Sequence, residues 1–242
     1  MRKFAVITTC LLLLGACSEH DPILPGVRVP VFETGDVSIM GRDIDNLPDV
    51  AFSMPDVECP YTRDSANVIW DGERKIFTGF PTSNSVAGGA NPVCHSGYVY
   101  AGLTTGEVVK VAPRSRHVAW IADVFRPSNM TGGASVVDIV APLVIKDGAV
   151  YAGGVGDAFC RINAISGEKS WCTKIGTAMP FIIAGNAIFV VATDGYLYAL
   201  RTSDGAVYWR TEIEQQKSPS YENKIITVGR QKINAVTGEI IK

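Results

Sequence analysis

Cysteines are the residues of this 242-residue chain best suited to chemistry, and four of the six, Cys59, Cys94, Cys160 and Cys172, lie in its main body. A thiolate can attack a substrate, ligate a metal or join a disulfide, and spacing discriminates among these roles. Zinc ligation finds no support, because no C-x-x-C occurs and the three histidines, His20, His95 and His117, are scattered. Nucleophilic catalysis lacks a framework too: there is no G-x-S-x-G and no H-E-x-x-H, and nothing singles out a nucleophile among the serines. Gly88-Gly89 and Gly132-Gly133 lack the Lys-Ser/Thr of a phosphate loop, so they read as turn or close-approach glycines. Asp123 and Asp138 are lone carboxylates flanking an irregular stretch, a setting that suits loop capping better than general-base work. No catalytic residue, metal ligand or cofactor is expected.

The fifth and sixth cysteines belong to the N-terminus. Arg2 and Lys3 precede an apolar run, Phe4 to Leu14, that is too short to span a bilayer as a stable helix and reads as an export signal. It ends in Leu14-Gly15-Ala16-Cys17, which resembles the lipobox of bacterial lipoproteins; the alternative is an ordinary signal with a chance cysteine. The resemblance implies cleavage after residue 16 and a diacylglycerol on Cys17, whose acyl chains would anchor a soluble domain. Removing the cations Arg2 and Lys3 from a formal charge of −2 leaves −4. Ser18, in place of the Asp that retains such proteins at the inner membrane, points to the outer membrane.

Export places the remaining four cysteines in an oxidising compartment, where an even number suggests disulfides. Cys160 and Cys172 fall on consecutive predicted strands joined through Ser166-Gly167, where opposite positions approach within bonding range. A bridge there closes a loop of about a dozen residues and contributes on the order of 3 kcal/mol in the chain-entropy account. The alternative is two buried free thiols. Cys59 with Cys94 is then the pair left by elimination.

The elements that must position these residues form a repeat. PLVIKDGAVYAGGVGDAFCRINAISGEKSWCTKIG is followed by PFIIAGNAIFVVATDGYLYALRTSDGAVYWRTEIE, and Pro142 to Pro180 and Trp171 to Trp209 give the same 38-residue step. Short β-branched and aromatic runs alternate with Gly185-Asn186, Asp194-Gly195 and Asp204-Gly205, which supply the positive φ of tight hairpins. Each copy is therefore a four-stranded antiparallel meander. Such a sheet cannot bury both faces alone, and radial repetition lets neighbours cover one another, which makes it a propeller blade. A unit beginning at Pro92 precedes these two and a shorter one follows, while NVIW and KIFTGF at residues 67–80 look like half a blade with Phe77 in the place of the later tryptophans. The expected fold is an all-β propeller of about five blades over residues 67–242, its closure requiring an N-terminal strand to pair with the last unit. The tryptophans, one per full unit after a turn, suit packing between blades.

Residues 1–16 form the signal and residues 17–66 a proline-rich tether, with VSIM at residues 37–40 a candidate for docking on a blade edge. A hydrophobic content of 47%, a charged content of 19% and a pI near 5.9 fit a folded domain with neither a nucleic-acid footprint nor a polybasic membrane patch. The step from Trp120 to Trp171 is 51 residues, and the excess is FRPSNMTGGASVVDIVA, a connector at residues 125–141. A connector that interrupts a repeat is a better functional candidate than the repeat.

The YLYALRTSDGAVYWR pattern, echoed by KINAVTGEI, resembles the repeat of pyrroloquinoline-quinone-type propellers. The lipobox, DPILPGVRVPVFE and the TGG…VVDIVAPLVIKDGAVYAGG stretch resemble the BamB family of outer-membrane β-barrel assembly lipoproteins. That resemblance implies a non-enzymatic scaffold on the periplasmic side of the outer membrane, bound to the membrane-embedded subunit of the assembly machinery. Within the connector, Thr131, Gly132 and Asp138 are the positions it matches for partner binding. The usual family member has eight blades, and the basic and leucine residues common in the family's connector are not evident here. Two other readings stand beside it: a propeller lipoprotein that binds a small ligand or cell-wall component, and a relative of quinone-dependent dehydrogenases, whose adjacent cysteine pair this chain lacks.

Overall fold

The computed structural model describes residues 37–55, 57–82, 89–124 and 136–241. They belong to one compact unit, Val37–Lys242. Cys17, Thr131 and Gly132 lie outside the described residues, as does most of the connector.

All regular structure among the described residues is β, arranged as five separate sheets in chain order. Blade 1 has three strands, β1 (Tyr61–Arg63), β2 (Val68–Asp71) and β3 (Arg74–Thr78). Blade 2 comprises β4 (Val93–His95), β5 (Tyr98–Gly102), β6 (Glu107–Ala112) and β7 (His117–Asp123). Blade 3 comprises β8 (Val144–Lys146), β9 (Ala149–Gly154), β10 (Ala158–Asn163) and β11 (Lys169–Thr173). Blade 4 comprises β12 (Ile182–Ala184), β13 (Ala187–Val191), β14 (Tyr196–Arg201) and β15 (Val207–Glu212). Blade 5 comprises β16 (Ser220–Glu222), β17 (Ile225–Val228), β18 (Gln231–Asn234) and β19 (Ile240–Ile241). Each is an antiparallel meander, and the protein is a β-propeller type of fold.

The register explains why one aromatic recurs per blade. Trp120 faces Lys110, Trp171 faces Arg161 and Trp209 faces Ala199, and in every case the register shifts immediately after the partner. A bulge there adds one residue and re-aims the side chain. Phe77 faces Ile69 with the same shift, so blade 1 carries phenylalanine at this position. Burial lies between the blades. Four clusters fill the four interfaces, with Ile69 and Val111 between blades 1 and 2, Trp120 and Val150 between 2 and 3, Phe159 and Leu200 between 3 and 4, and Phe189 and Ile233 between 4 and 5.

The compact unit takes in residues 37–66, which composition alone reads as tether. Ile39 pairs in parallel with Val207 on β15, which seats the VSIM segment on a blade edge. The amides of Met40 and Gly41 donate to the carbonyls of Val207 and Tyr208 at 2.8 and 3.0 Å. Farther on, Ile44 N–H donates to Val236 C=O, Asn223 N–H to Asp49 C=O and Phe52 N–H to Ile183 C=O. Ile44 and Leu47 are buried between blades 4 and 5, Phe52 packs between blades 3 and 4, and Met54 between 2 and 3. The segment is thus a strap across four blades. Its prolines fit because it crosses strand ends and edges, where few ladder amides are needed. It meets blade 5 through side-chain packing, single hydrogen bonds and an Asp49–Lys224 ion pair, not as a fifth strand beside β19.

Candidate interaction surface

Both expected disulfides are formed, Cys160 with Cys172 and Cys59 with Cys94. Cys160 and Cys172 are direct partners across β10 and β11, with Cα atoms 4.1 Å apart. Cys59 lies at the end of the strap and Cys94 on β4, so this bridge ties the strap to blade 2.

The tryptophans act as latches between blades. Trp120 Nε1 donates to the Ala164 carbonyl at 3.2 Å, Trp171 Nε1 to Thr202 at 3.1 Å and Trp209 Nε1 to Val236 at 3.1 Å, each carbonyl lying in the last turn of the following blade. That turn holds Gly167, Gly205 or Gly238 at positive φ, with the indole against its Cα: a Cβ there would sit 2.5 to 2.9 Å from ring atoms of the latching tryptophan. Blade 2 has Arg116 at the corresponding place, at φ 58, opposite a blade whose aromatic is the smaller Phe77.

The connector re-enters the described structure at residue 136, on the rim where second strands turn into third strands. Ile139 N–H donates to Leu103 C=O at 3.1 Å, and the Asp138 carbonyl accepts from Val155 N–H at 3.0 Å. Gly102 and Gly154 admit this approach, since a Cβ on either would lie 2.4 Å from Ile139 or 2.6 Å from the Asp138 carbonyl oxygen. The same bonds recur one blade later, where Thr177 N–H donates to Gly154 C=O and Thr193 N–H to Gly176 C=O. Asp138 therefore occupies the place of Gly176, one 38-residue step earlier, and the inserted residues precede it.

The Asp138 side chain is only 2% exposed, so it is not displayed on the surface. It bears electrostatically on Arg63 at the end of β1: burial draws the guanidinium below its ordinary pKa, against the opposing pull of Asp138 and Asp64. Arg63 Nη1 also donates to the Asn67 side-chain oxygen at 3.3 Å. Asn67 is fully buried, accepts from Thr104 N–H at 2.9 Å and donates to Thr104 Oγ1 and to the Phe80 carbonyl at 2.8 and 2.7 Å. Asp64 accepts from Val68 and Ala66 N–H and from Trp70 Nε1, and these bonds hold its carboxyl below the ordinary range although partial burial acts the other way. A polar network thus joins blades 1 to 3 along one rim, beside the exposed Phe80 and Val136.

Sequence reasoning found Asp138 by its place in the connector and missed Arg63, Asn67 and Thr104. The available signal was Asn67, which stands at φ 62 where blades 2 and 4 have Gly106 and Gly195 in equivalent turns; asparagine tolerates that conformation. No group of His, Cys, Asp or Glu among the described residues could hold a metal ion. No helix among them is long and apolar enough to cross a membrane.

This chain resembles several known proteins in sequence and fold. The BamB protein of Moranella endobia is 22% identical over 125 residues, 52% of this chain and 32% of that protein. The BamB protein of Escherichia coli K12 is 24% identical over 127 residues, again 52% of this chain and 32% of its own length. The crystal structure of BamB from Moraxella catarrhalis superimposes with a TM-score of 0.65 at 17% identity, covering 75% of this chain and 59% of that one. A quinohemoprotein alcohol dehydrogenase from Pseudomonas putida HK5 shares the fold with a TM-score of 0.54 at 13% identity, over 75% of this chain and 40% of that one. The alignments thus span about a third of the length of the curated relatives. The family model described as outer membrane protein assembly factor BamB matches residues 57–211, more than half of the chain, and this protein belongs to that family.

Proposed function

We propose that this protein is a non-enzymatic scaffold of outer-membrane protein assembly. It is acylated on Cys17, held at the periplasmic face of the outer membrane, and assists insertion of β-barrel proteins by contact with the membrane-embedded subunit of the assembly machinery. The observation that carries the reading is the family match over residues 57–211. The geometry supports it in kind. Nearly every regular residue is accounted for as blade core, hairpin turn or latch, which suits a rigid frame. At the rim where second strands turn into third strands, the connector returns to the frame through the buried Asp138. In this reading Thr131 and Gly132 meet the partner, while Asp138 and Ile139 hold the connector's exit in place through backbone bonds to blades 3 and 2 respectively.

The test is purification of the full-length lipoprotein from outer membranes in mild detergent. Co-purification of the assembly subunits, reduced by replacing the connector segment 125–135 with a Gly/Ser linker of equal length, is the expected result. A protein that brings none of them down, while remaining membrane-bound through Cys17, would overturn the proposal.

A further inference from the structure

The strap meets the first strands of blades 2 to 5 at one register position. The middle residues of β4, β8, β12 and β16 are Cys94, Ile145, Ile183 and Tyr221, paired with Val99, Val150, Ile188 and Ile226 on the second strands. Going backward through the blades, the Tyr221 hydroxyl donates to the Pro48 carbonyl, Phe52 N–H donates to the Ile183 carbonyl at 2.7 Å, Ile145 N–H donates to Met54 Sδ at 3.1 Å, and Cys94 is bonded to Cys59. Each of these first strands is an edge of its sheet. The strap therefore touches four converging sheet edges at equivalent residues and forms a ladder with none of them.

The four holds are unequal. Three are hydrogen bonds, one of them to a thioether, which is a weak acceptor, and the fourth is covalent. Phe52 and Met54 are only half-buried against their clusters, and Val50 and Val57 are exposed. The bridge is thus the firmest hold on this part of the strap.

The two bridges of the molecule also differ in what happens when they open. Cys160 and Cys172 face each other on a paired ladder whether or not their sulfurs are joined. Cys172 is exposed, but attack there must expel the fully buried Cys160 into an apolar cluster, where a thiolate is disfavoured. Cys59 lies in no strand, and both Cys59 and Cys94 are half-buried. After cleavage no strand pairing among the described residues holds Cys59 opposite Cys94.

We propose that Cys59–Cys94 is a site of thiol–disulfide exchange, and that its reduction by a dithiol lifts Phe52 and Met54 from the edges of β12 and β8. One thiolate of the dithiol attacks a sulfur of the bridge, the S–S bond breaks, and the other cysteine leaves as a thiolate that takes up a proton. The second thiol of the reductant then resolves the mixed disulfide. The protein gains two electrons and two protons, and the dithiol becomes a disulfide. This role stands apart from the assembly reading.

Titration of the oxidised full-length protein in detergent with dithiothreitol, followed by acid quenching, alkylation and peptide mass spectrometry, tests the first half. Cys59 and Cys94 are expected to become alkylated at roughly tenfold less dithiothreitol than Cys160 and Cys172. Simultaneous reduction of the two pairs, or earlier loss of Cys160–Cys172, would overturn the proposal. Hydrogen exchange tests the second half. In the singly reduced species the amides of Phe52 and Ile145 should exchange roughly tenfold or more faster, while those of Met40 and Gly41, bonded to Val207 and Tyr208, keep their rates. Cys59→Ser with Cys94→Ser, which carries no alkyl adduct, is expected to reproduce both results without reductant. Unchanged exchange at Phe52 and Ile145 in both samples would show that the bridge does not hold the strap down.

Discussion

Substituting the turn glycine beneath a latching tryptophan separates two effects that usually come together, and Gly167→Ala is the sharpest case. Gly167 has φ +77, and an added Cβ would lie 2.7 Å from Trp120 Cγ, 2.8 Å from Cδ2 and 2.9 Å from Cβ. Those atoms are close to the Trp120 backbone, so no rotamer change within the buried interface removes the overlap. The left-handed conformation costs alanine about 1–2 kcal/mol, and overpacking adds about 1–3 kcal/mol, for a loss of about 2–5 kcal/mol. Gly97 is the control, with φ +78 and nothing within 4 Å of the place a Cβ would take; Gly97→Ala is expected to lose the conformational part alone, about 1–2 kcal/mol. Urea unfolding of the oxidised protein, followed by tryptophan fluorescence, gives both values. Equal losses for the two glycines would refute the latch.

Alkaline stability follows from Tyr100, whose pKa burial, and then Tyr98, push up to about 12. A raised folded-state pKa means stabilisation that is full below the unfolded value near 10 and lost as pH rises from about 10 to about 12. Tyr100→Phe should flatten the fall of unfolding free energy over that window in pH-dependent urea titrations, and an unchanged slope would exclude Tyr100 as its source. Replacing Cys160 and Cys172 by serine should cost about 3 kcal/mol, and replacing Cys59 and Cys94 about 4 kcal/mol, as the loops they close scale in the chain-entropy account. Only the second pair should also expose the strap to limited proteolysis, since Cys59 pins it to blade 2; equal protease resistance would show that the strap holds without its bridge. Asn67→Ala should lose about 2–4 kcal/mol in thermal unfolding, from a strained φ and from leaving the buried Thr104 amide without its acceptor. A loss below about 1 kcal/mol would mean that another group satisfies that amide.

Local pattern decided most of the frame. Hairpin turns with glycine or asparagine at positive φ, β-branched runs and a constant 38-residue step identify blades, because each blade is built from neighbours in sequence. The Cys160–Cys172 bridge was legible for the same reason, and so was the kinship of Phe77 with the tryptophans, which depends on spacing from a turn. Cys59–Cys94 came only by elimination, since nothing near Cys59 marks it as a neighbour of β4.

What the tertiary structure alone decided concerns contacts between distant segments. Residues 37–60 look like tether because prolines and polar residues dilute their few apolar side chains. Ile44, Leu47, Phe52 and Met54 become core only when blades 2 to 5 supply the other side of each contact. Arg63 and Asn67 share the first hairpin of blade 1, but Asp138 comes from the connector and Thr104 from blade 2, and their charges and amides meet only after stacking aligns the rims.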